Sequence, residues 1–297
     1  MNPAWWKQVE KFFEDTQEAD WLENAEAVRY LHGLHSKFEA INRFSDSNDE
    51  TATKAFELLI LGPNGQSYAK LCKDLQRYNI PAPHLDAVMV IRHAESIRQF
   101  TETYRQVHGA LPGLQFSINV LPQTLVGGLL EVLLKHHLFD INPRILVWEI
   151  DSEAAKEFLG SLGERKISQG LDDVRDAVLD CAGVTGLNVG LDDITDGGAM
   201  EECLKNECPK QVSWLKIDRR EFWLRVELRH RFCRYFHQIV QRNASMGRLT
   251  VFEGVKDGGY VNRVRELDRK LLGFFAMQGT AMKPGRLFAE VLSALEV

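Results

Sequence analysis

The chain has no apolar run approaching the ~18 to 20 residues that a membrane-spanning helix needs. It has no P-loop, no Gly-x-Gly-x-x-Gly and no Gly-x-Ser-x-Gly, which argues against nucleoside triphosphatase, dinucleotide dehydrogenase and serine hydrolase chemistry. Charge of one sign is not in large excess. The 297 residues carry 36 Lys and Arg against 42 Asp and Glu, a net charge of −6 at pH 7, where a duplex nucleic-acid binder would want a basic bias. A small anionic ligand is still compatible, because a local site can oppose the net charge. Cysteine is sparse: the five, at 72, 181, 203, 208 and 233, fit neither a disulfide framework nor a zinc site. The opening stretch MNPAWWKQVEKFFEDTQ lacks the basic-then-apolar layout of a secretory signal. These absences set the expectation of a reduced, cytoplasmic protein with no membrane and no duplex nucleic-acid partner.

What is present is ordinary globular composition, 44% hydrophobic and 26% charged, in a length that one α/β barrel fills. Residues 1–36 read as a helical extension, because Trp5, Val9, Phe12, Phe13, Trp21, Leu22, Ala25, Val28 and Leu31 recur at roughly helical spacing. Their aromatic content leaves two readings open, a helix covering the main domain or a surface for a second copy or a protein partner. Residues 37–297 alternate instead. Eight β-like runs fall at 37–44, 55–61, 116–120, 145–150, 187–192, 213–218, 249–255 and 274–279, with helix-like stretches in most gaps. That alternation predicts a (β/α)8 TIM-type barrel. The gap between Phe44 and Ala55 is too short for a crossover helix, so the first two strands should form a hairpin, with the first strand antiparallel.

Barrel chemistry sits at the C-terminal ends of strands. Near those ends the runs carry Glu57, Asn119, Glu149, Asp192 and Asp193, Lys216 and Asp218, Glu253, and Gln278. Most stand inside apolar runs, where an unpaired charge is expensive. Carboxylates with an Asn and a Gln, and no Cys or His, are hard oxygen donors that suit Mg2+ or Mn2+. The adjacent Asp192 and Asp193 suit a two-metal site for phosphoryl displacement. Isolated charges, each satisfied by a neighbouring strand, are the alternative.

In order along the chain, the strings FELLI (56–60), SINV (117–120), WEID (148–151), LDDITDG (191–197), LKID (215–218), FEGV (252–255) and MQG (277–279) resemble the motifs of the EAL domain. That family comprises phosphodiesterases that hydrolyse cyclic di-GMP to linear pGpG. The resemblance covers about residues 37–297 and implies the same barrel with an antiparallel first strand. It implies Glu57, Asn119, Glu149, Asp192 and Asp193 as metal ligands, Lys216, Glu253 and Gln278 as catalytic groups, and positions 61 and 218, here Leu61 and Asp218, as substrate-facing. The chain also departs from the pattern. Leu61 stands where the family has a phosphate-contacting Arg, Glu39-Ala40 replace a Gln-Pro pair, and Thr195-Asp196-Gly197 alter the loop after the paired aspartates. Ser152 and Lys256 each replace an acid. The metal shell therefore looks intact and the grip on substrate weakened. The competing reading is an inactive EAL-like module that binds a protein or senses cyclic di-GMP. A homodimer through barrel-side helices is the expected assembly.

Other signals carry less. His32 and His35 lack a third metal ligand, His136 and His137 suit a helix end, and Cys203 and Cys208 have no matching second pair. Asp46, Asn48 and Glu50 read as a hairpin turn rather than a calcium loop. The arginines of 219–234 read as a solvated helix face, with an anion-facing or partner-facing patch as the alternative.

Overall fold

Eight strands close on themselves into a barrel in the computed structural model, which describes residues 4–16, 20–44, 51–121, 123–124, 128–151, 188–194, 212–220, 223, 241, 243–245, 249–271, 275–279, 286–287 and 291. The strands are β1 (His35–Phe44), β2 (Thr51–Leu61), β3 (Gln115–Val120), β4 (Leu146–Asp151), β5 (Asn188–Ile194), β6 (Val212–Ile217), β7 (Leu249–Phe252) and β8 (Phe275–Met277). β2 to β8 run parallel, each beside the next. β1 is antiparallel to both its neighbours, with Glu39 opposite Glu57 on β2 and Asn42 opposite Met277 on β8. The expected hairpin is therefore present, with longer arms, since β2 begins at Thr51 rather than Ala55. A two-residue β9 (Arg286–Leu287), not foreseen, pairs with Lys37 and Phe38 of β1.

Side chains alternate across a strand, so every second residue enters the barrel. Ile41, Ala55, Val147, Trp214, Val251 and Ala276 form a small apolar cluster of their own, apart from the larger core under the helices. This cluster is the floor of the interior. Trp214 is its largest member and lies so close to Gly190 on β5 that a Cβ there would meet its indole at 2.0 Å. Glycine at 190 is thus a packing requirement. Two residues further along β2, β4, β6 and β7 from Ala55, Val147, Trp214 and Val251 stand Glu57, Glu149, Lys216 and Glu253.

Helices cover the outside: α1 (Trp6–Thr16), α2 (Ala25–His32), α3 (Tyr68–Gln76), α4 (Ala82–His108), α5 (Leu129–His136) and α6 (Gly258–Leu271). In α4 every residue from Leu85 to Ile91 is buried. A turn buried on all sides must be covered on all sides, and α4 lies between the barrel strands and α1. Trp5, Trp6, Phe12, Phe13 and Trp21 are all buried in the same core as α4. They meet edge to face within the chain, Phe13 on Trp21 at 5.0 Å, Trp6 on His32 at 4.5 Å and Phe12 on His137 at 5.2 Å. Each such contact adds about 0.5–1.5 kcal/mol beyond area burial. The aromatics that left a partner surface open are accordingly used within the chain.

β7 and β8 end earlier than the periodicity suggests, at Phe252 and Met277. Gly254 follows at φ +65 and Gly279 at φ +148, so the backbone leaves the extended region there. Glu253 and Gln278 sit at these exits, tied in by Glu253 N–H to Ile217 O (3.2 Å) and Gln278 N–H to Phe252 O (2.9 Å). The helix-like stretch 155–164, the turn with Asp46, Asn48 and Glu50, and Cys203 and Cys208 lie outside the described residues. So do Arg225, Arg229, Arg231 and Arg234.

Candidate metal centre

One residue from each of seven strand ends converges on the barrel axis above the apolar floor. Lys216 from β6 is the hub, and its side chain is fully buried. Its Nζ lies 2.9 Å from Glu253 Oε1, 3.0 Å from Asp192 Oδ2 and 3.2 Å from both Glu57 Oε2 and Glu149 Oε2. An ammonium has three protons to donate and here faces four carboxylates. Asn119 donates from Nδ2 to Glu57 Oε1 at 2.8 Å. Gln278 Nε2 donates to Glu57 Oε2 and, at 3.3 Å, to Glu39 Oε2. Glu57, Glu149 and Asp192 each offer an oxygen within 4.8 Å of the others, and all three are buried.

Four carboxyls around one ammonium make a net charge of −3 if all are ionised. Burying that charge unbalanced is prohibitive, and the proton affinities of Lys216, Glu57, Glu149 and Glu253 are displaced accordingly. Burial alone would pull Lys216 down, but Asp192, Glu149, Glu253 and Glu57 push it well above the usual lysine range. Lys216 is therefore a fixed cation. Burial also opposes ionisation of Glu57, yet Lys216 and the hydrogen bonds from Gln278 and Asn119 hold it below the usual carboxyl range. Burial lifts Glu149 well above that range; Lys216 opposes the lift, and Glu57, Asp192 and Glu253 add to it. Glu253 is lifted in the same way, by burial first and then by Asp192 and Glu57. Without a further cation, protons kept on Glu149 and Glu253 cut the shell's charge from −3 to −1.

The donor set fits divalent ions. Glu149 Oε1 and Gln278 Oε1 are buried without a partner among the described residues, and both belong to this shell. Buried polar oxygens are rarely left so. Carboxylate and amide oxygens, with no sulfur or imidazole, match the preference of Mg2+ and Mn2+.

Of the residues expected from the sequence, Glu57, Asn119, Glu149, Asp192, Lys216, Glu253 and Gln278 are brought together. Asp193 follows Asp192 on β5, and its side chain lies outside the described residues. Asp218 accepts from the Arg220 N–H at 2.7 Å, capping the turn after β6. Leu61, at the end of β2, lines a cavity of about 400 Å3 that reaches Asn119 and Asp192. Ser152 and 195–197 are outside the described residues. Lys256 lies 3.4 Å over the Trp223 ring, whose Nε1 donates to Gly254 O at 2.6 Å. Lys37 and Asp86 were not foreseen as neighbours of the site, and Glu39 was noted only as a departure from the family pattern. Lys37 and Glu39, an ion pair, face inward from β1. Asp86 on α4 accepts from the Leu121 N–H at 3.0 Å and so braces the end of β3; burial raises its carboxyl to about 6. Register with Glu57 was the signal that could have placed the β1 pair.

No model of a protein family matches the chain, and no curated relative matches it. Solved structures do. The EAL enzyme Bd1971, in a form bound to cAMP and cyclic di-GMP, aligns with a TM-score of 0.65 at 15% identity, over 97% of this chain and 69% of that one. The FimX EAL domain of Xanthomonas citri, in complex with cyclic di-GMP, aligns at 0.58 and 17%, over 94% of each chain. An EAL-domain protein from Listeria monocytogenes aligns at 0.58 and 16%, over 88% of this chain and 92% of its own. The chain has the fold of these EAL-domain proteins.

Proposed function

We propose that this EAL-fold chain is a divalent-metal phosphodiesterase that hydrolyses cyclic di-GMP to linear pGpG. The observation that carries the reading is the buried shell in which Glu57, Glu149, Asp192 and Glu253 surround Lys216 with an excess of negative charge. The fold shared with EAL proteins solved with cyclic di-GMP supports the choice of substrate. Glu57, Asn119, Glu149 and Asp192 would hold the ions, with Asp193 extending the set toward a second one. Bound Mg2+ or Mn2+ supplies an acidified water and neutralises phosphoryl oxygens. The chain's own groups do the rest. Asn119 and Gln278 fix the Glu57 carboxylate from two sides. Lys216 keeps its proton and holds Glu149 and Asp192 in place. In the hydrolysis one O–P bond forms, one P–O3′ bond breaks and a proton reaches the 3′ oxygen. Lys216 and Glu253, which stand 2.9 Å apart in the shell, would steer that proton, Lys216 by its fixed charge and Glu253 by carrying it.

A second reading keeps the ligand and drops the chemistry, and the apolar Leu61 at the mouth favours it, since a leucine offers a phosphate nothing. Chromatography of cyclic di-GMP with Mg2+ or Mn2+ separates the two, with Glu149→Gln beside the wild type. Appearance of pGpG in the wild type alone supports the phosphodiesterase. Binding without product supports the binding module. The proposal includes a cytoplasmic setting, residues 1–36 as an extension of the 37–297 barrel, and a homodimer, which light scattering at monomer mass would remove.

A further inference from the structure

The cavity beside the metal shell is lined by Lys37, Leu59, Leu61, Tyr68, Asn119 and Asp192 among others. Asn119 and Asp192 belong to the shell, so a ligand in the cavity reaches the reacting centre. Its volume, about 400 Å3, lies in the range of small-molecule sites. Leu59, Leu61, Tyr68 and Met89 make much of its wall apolar, which suits a flat base. A phosphodiester also carries a negative charge, and the shell it approaches is itself acidic. Ions held by the shell would offset that repulsion only beside them, so a phosphate oxygen lying further into the cavity calls for a cation of its own.

Among the described residues that line the cavity, Lys37 is the one cation. His93 also lines it, but burial and Arg92 lower that imidazole to about 3, so it is neutral. The strand register places Lys37. Glu39 stands opposite Glu57, in the layer of the shell, and Lys37 stands opposite Leu59, one layer nearer the mouth because β1 runs antiparallel. Leu61, opposite His35, is diagonal to Lys37 on the same face. Diagonal positions on a sheet lie about 7–8 Å apart, within reach of long side chains. Glu39 pairs with Lys37 through Oε1 and receives Gln278 Nε2 on Oε2, which ties the cation to the shell. The pair is about three-tenths exposed on both sides, and a partly solvated pair is weak enough for a phosphate oxygen to displace or share.

We propose that Lys37 grips a non-bridging phosphate oxygen of the substrate, with Glu39 as its positioning residue. The inference rests on the phosphodiesterase reading and extends it to a residue on β1. The test compares wild type, Lys37→Met and the double variant Lys37→Met/Leu61→Arg, with the reading of each variant secured by a thermal melt. Cyclic di-GMP turnover is followed by product chromatography, and Mn2+ affinity is titrated separately. Lys37→Met should raise KM about ten-fold or more, the loss expected of one charge-assisted hydrogen bond. Its kcat and Mn2+ affinity should stay near those of the wild type. The arginine at 61 should recover most of the lost KM from the diagonal position. An unchanged KM in Lys37→Met overturns the proposal while the phosphodiesterase stands. A parallel fall in Mn2+ affinity, or a double variant no better than the single one, makes Lys37 structural and overturns it too. Absence of both product and binding in the wild type defeats the phosphodiesterase reading itself, and this inference with it.

Discussion

Removing divalent ions and raising the pH should destabilise this protein, and supplying them should reverse the loss. The sign follows from the shell. Glu149 and Glu253 are raised well above the ordinary carboxyl range by burial and mutual repulsion. Above about pH 4.5 the unfolded chain has released these protons and the folded chain retains them. Stability falls with pH wherever the folded state binds more protons, by about 1.4 kcal/mol per pH unit for each one. Glu57 is shifted the other way, and its contribution is lost only on the acid side of the window. Two protons retained together set a limit of about 2.7 kcal/mol per pH unit. Over any one unit in which a single proton is retained, Tm should drop by about 3 °C at the usual conversion for large domains. Divalent ions take the place of the protons, so their stabilisation should grow with pH. Thermal melts at half-unit pH steps, in chelator and in millimolar Mg2+ or Mn2+, read both slopes. A metal-free Tm that is flat or rises from pH 5 to 8 would refute the charge argument. So would a metal-induced shift that ignores pH.

Other outcomes follow from the same geometry. Glu149→Gln should abolish turnover yet raise the metal-free Tm at pH 8, because it removes a buried carboxyl with an unpartnered oxygen; a lowered Tm would contradict this. Lys216→Met should cost about 3–5 kcal/mol in denaturant unfolding without metal, since four carboxyls lose their shared cation. Trp214→Ala should cost about 3–5 kcal/mol, because it empties the barrel floor. Trp6→Ala, on the N-terminal helix, should cost a similar amount if α1 belongs to the main core; a change below about 1 kcal/mol would detach it.

The barrel was legible because its strands obey one period. Val147 and Glu149, Trp214 and Lys216, Val251 and Glu253 each pair an apolar residue with a charged one two positions on, and a charge inside an apolar run has to face something. The antiparallel first strand was legible from one short gap. The hub role of Lys216 was not, since the sequence gives no distance between residues 57 and 216. The place of Lys37 and Glu39 beside the site was missed for a related reason. Their inward direction is fixed by pairing with Leu59 and Glu57 on the next strand, and β1 carries them in reverse order. Helix α1 was ambiguous because burial against α4 and burial against a partner demand the same apolar stripe. Strand ends were misplaced where Gly254 and Gly279 turn the backbone out of the ladder.

The central claim is that the acidic shell exists to hold divalent cations, and diffraction from crystals soaked in Mn2+ tests it most directly. Anomalous density should appear at bonding distance from carboxylate oxygens of Glu57, Glu149 and Asp192, and it should vanish in Glu149→Gln. Empty density between those three residues at millimolar Mn2+ and pH 8, with Lys216 still centred among the four carboxyls, would contradict it.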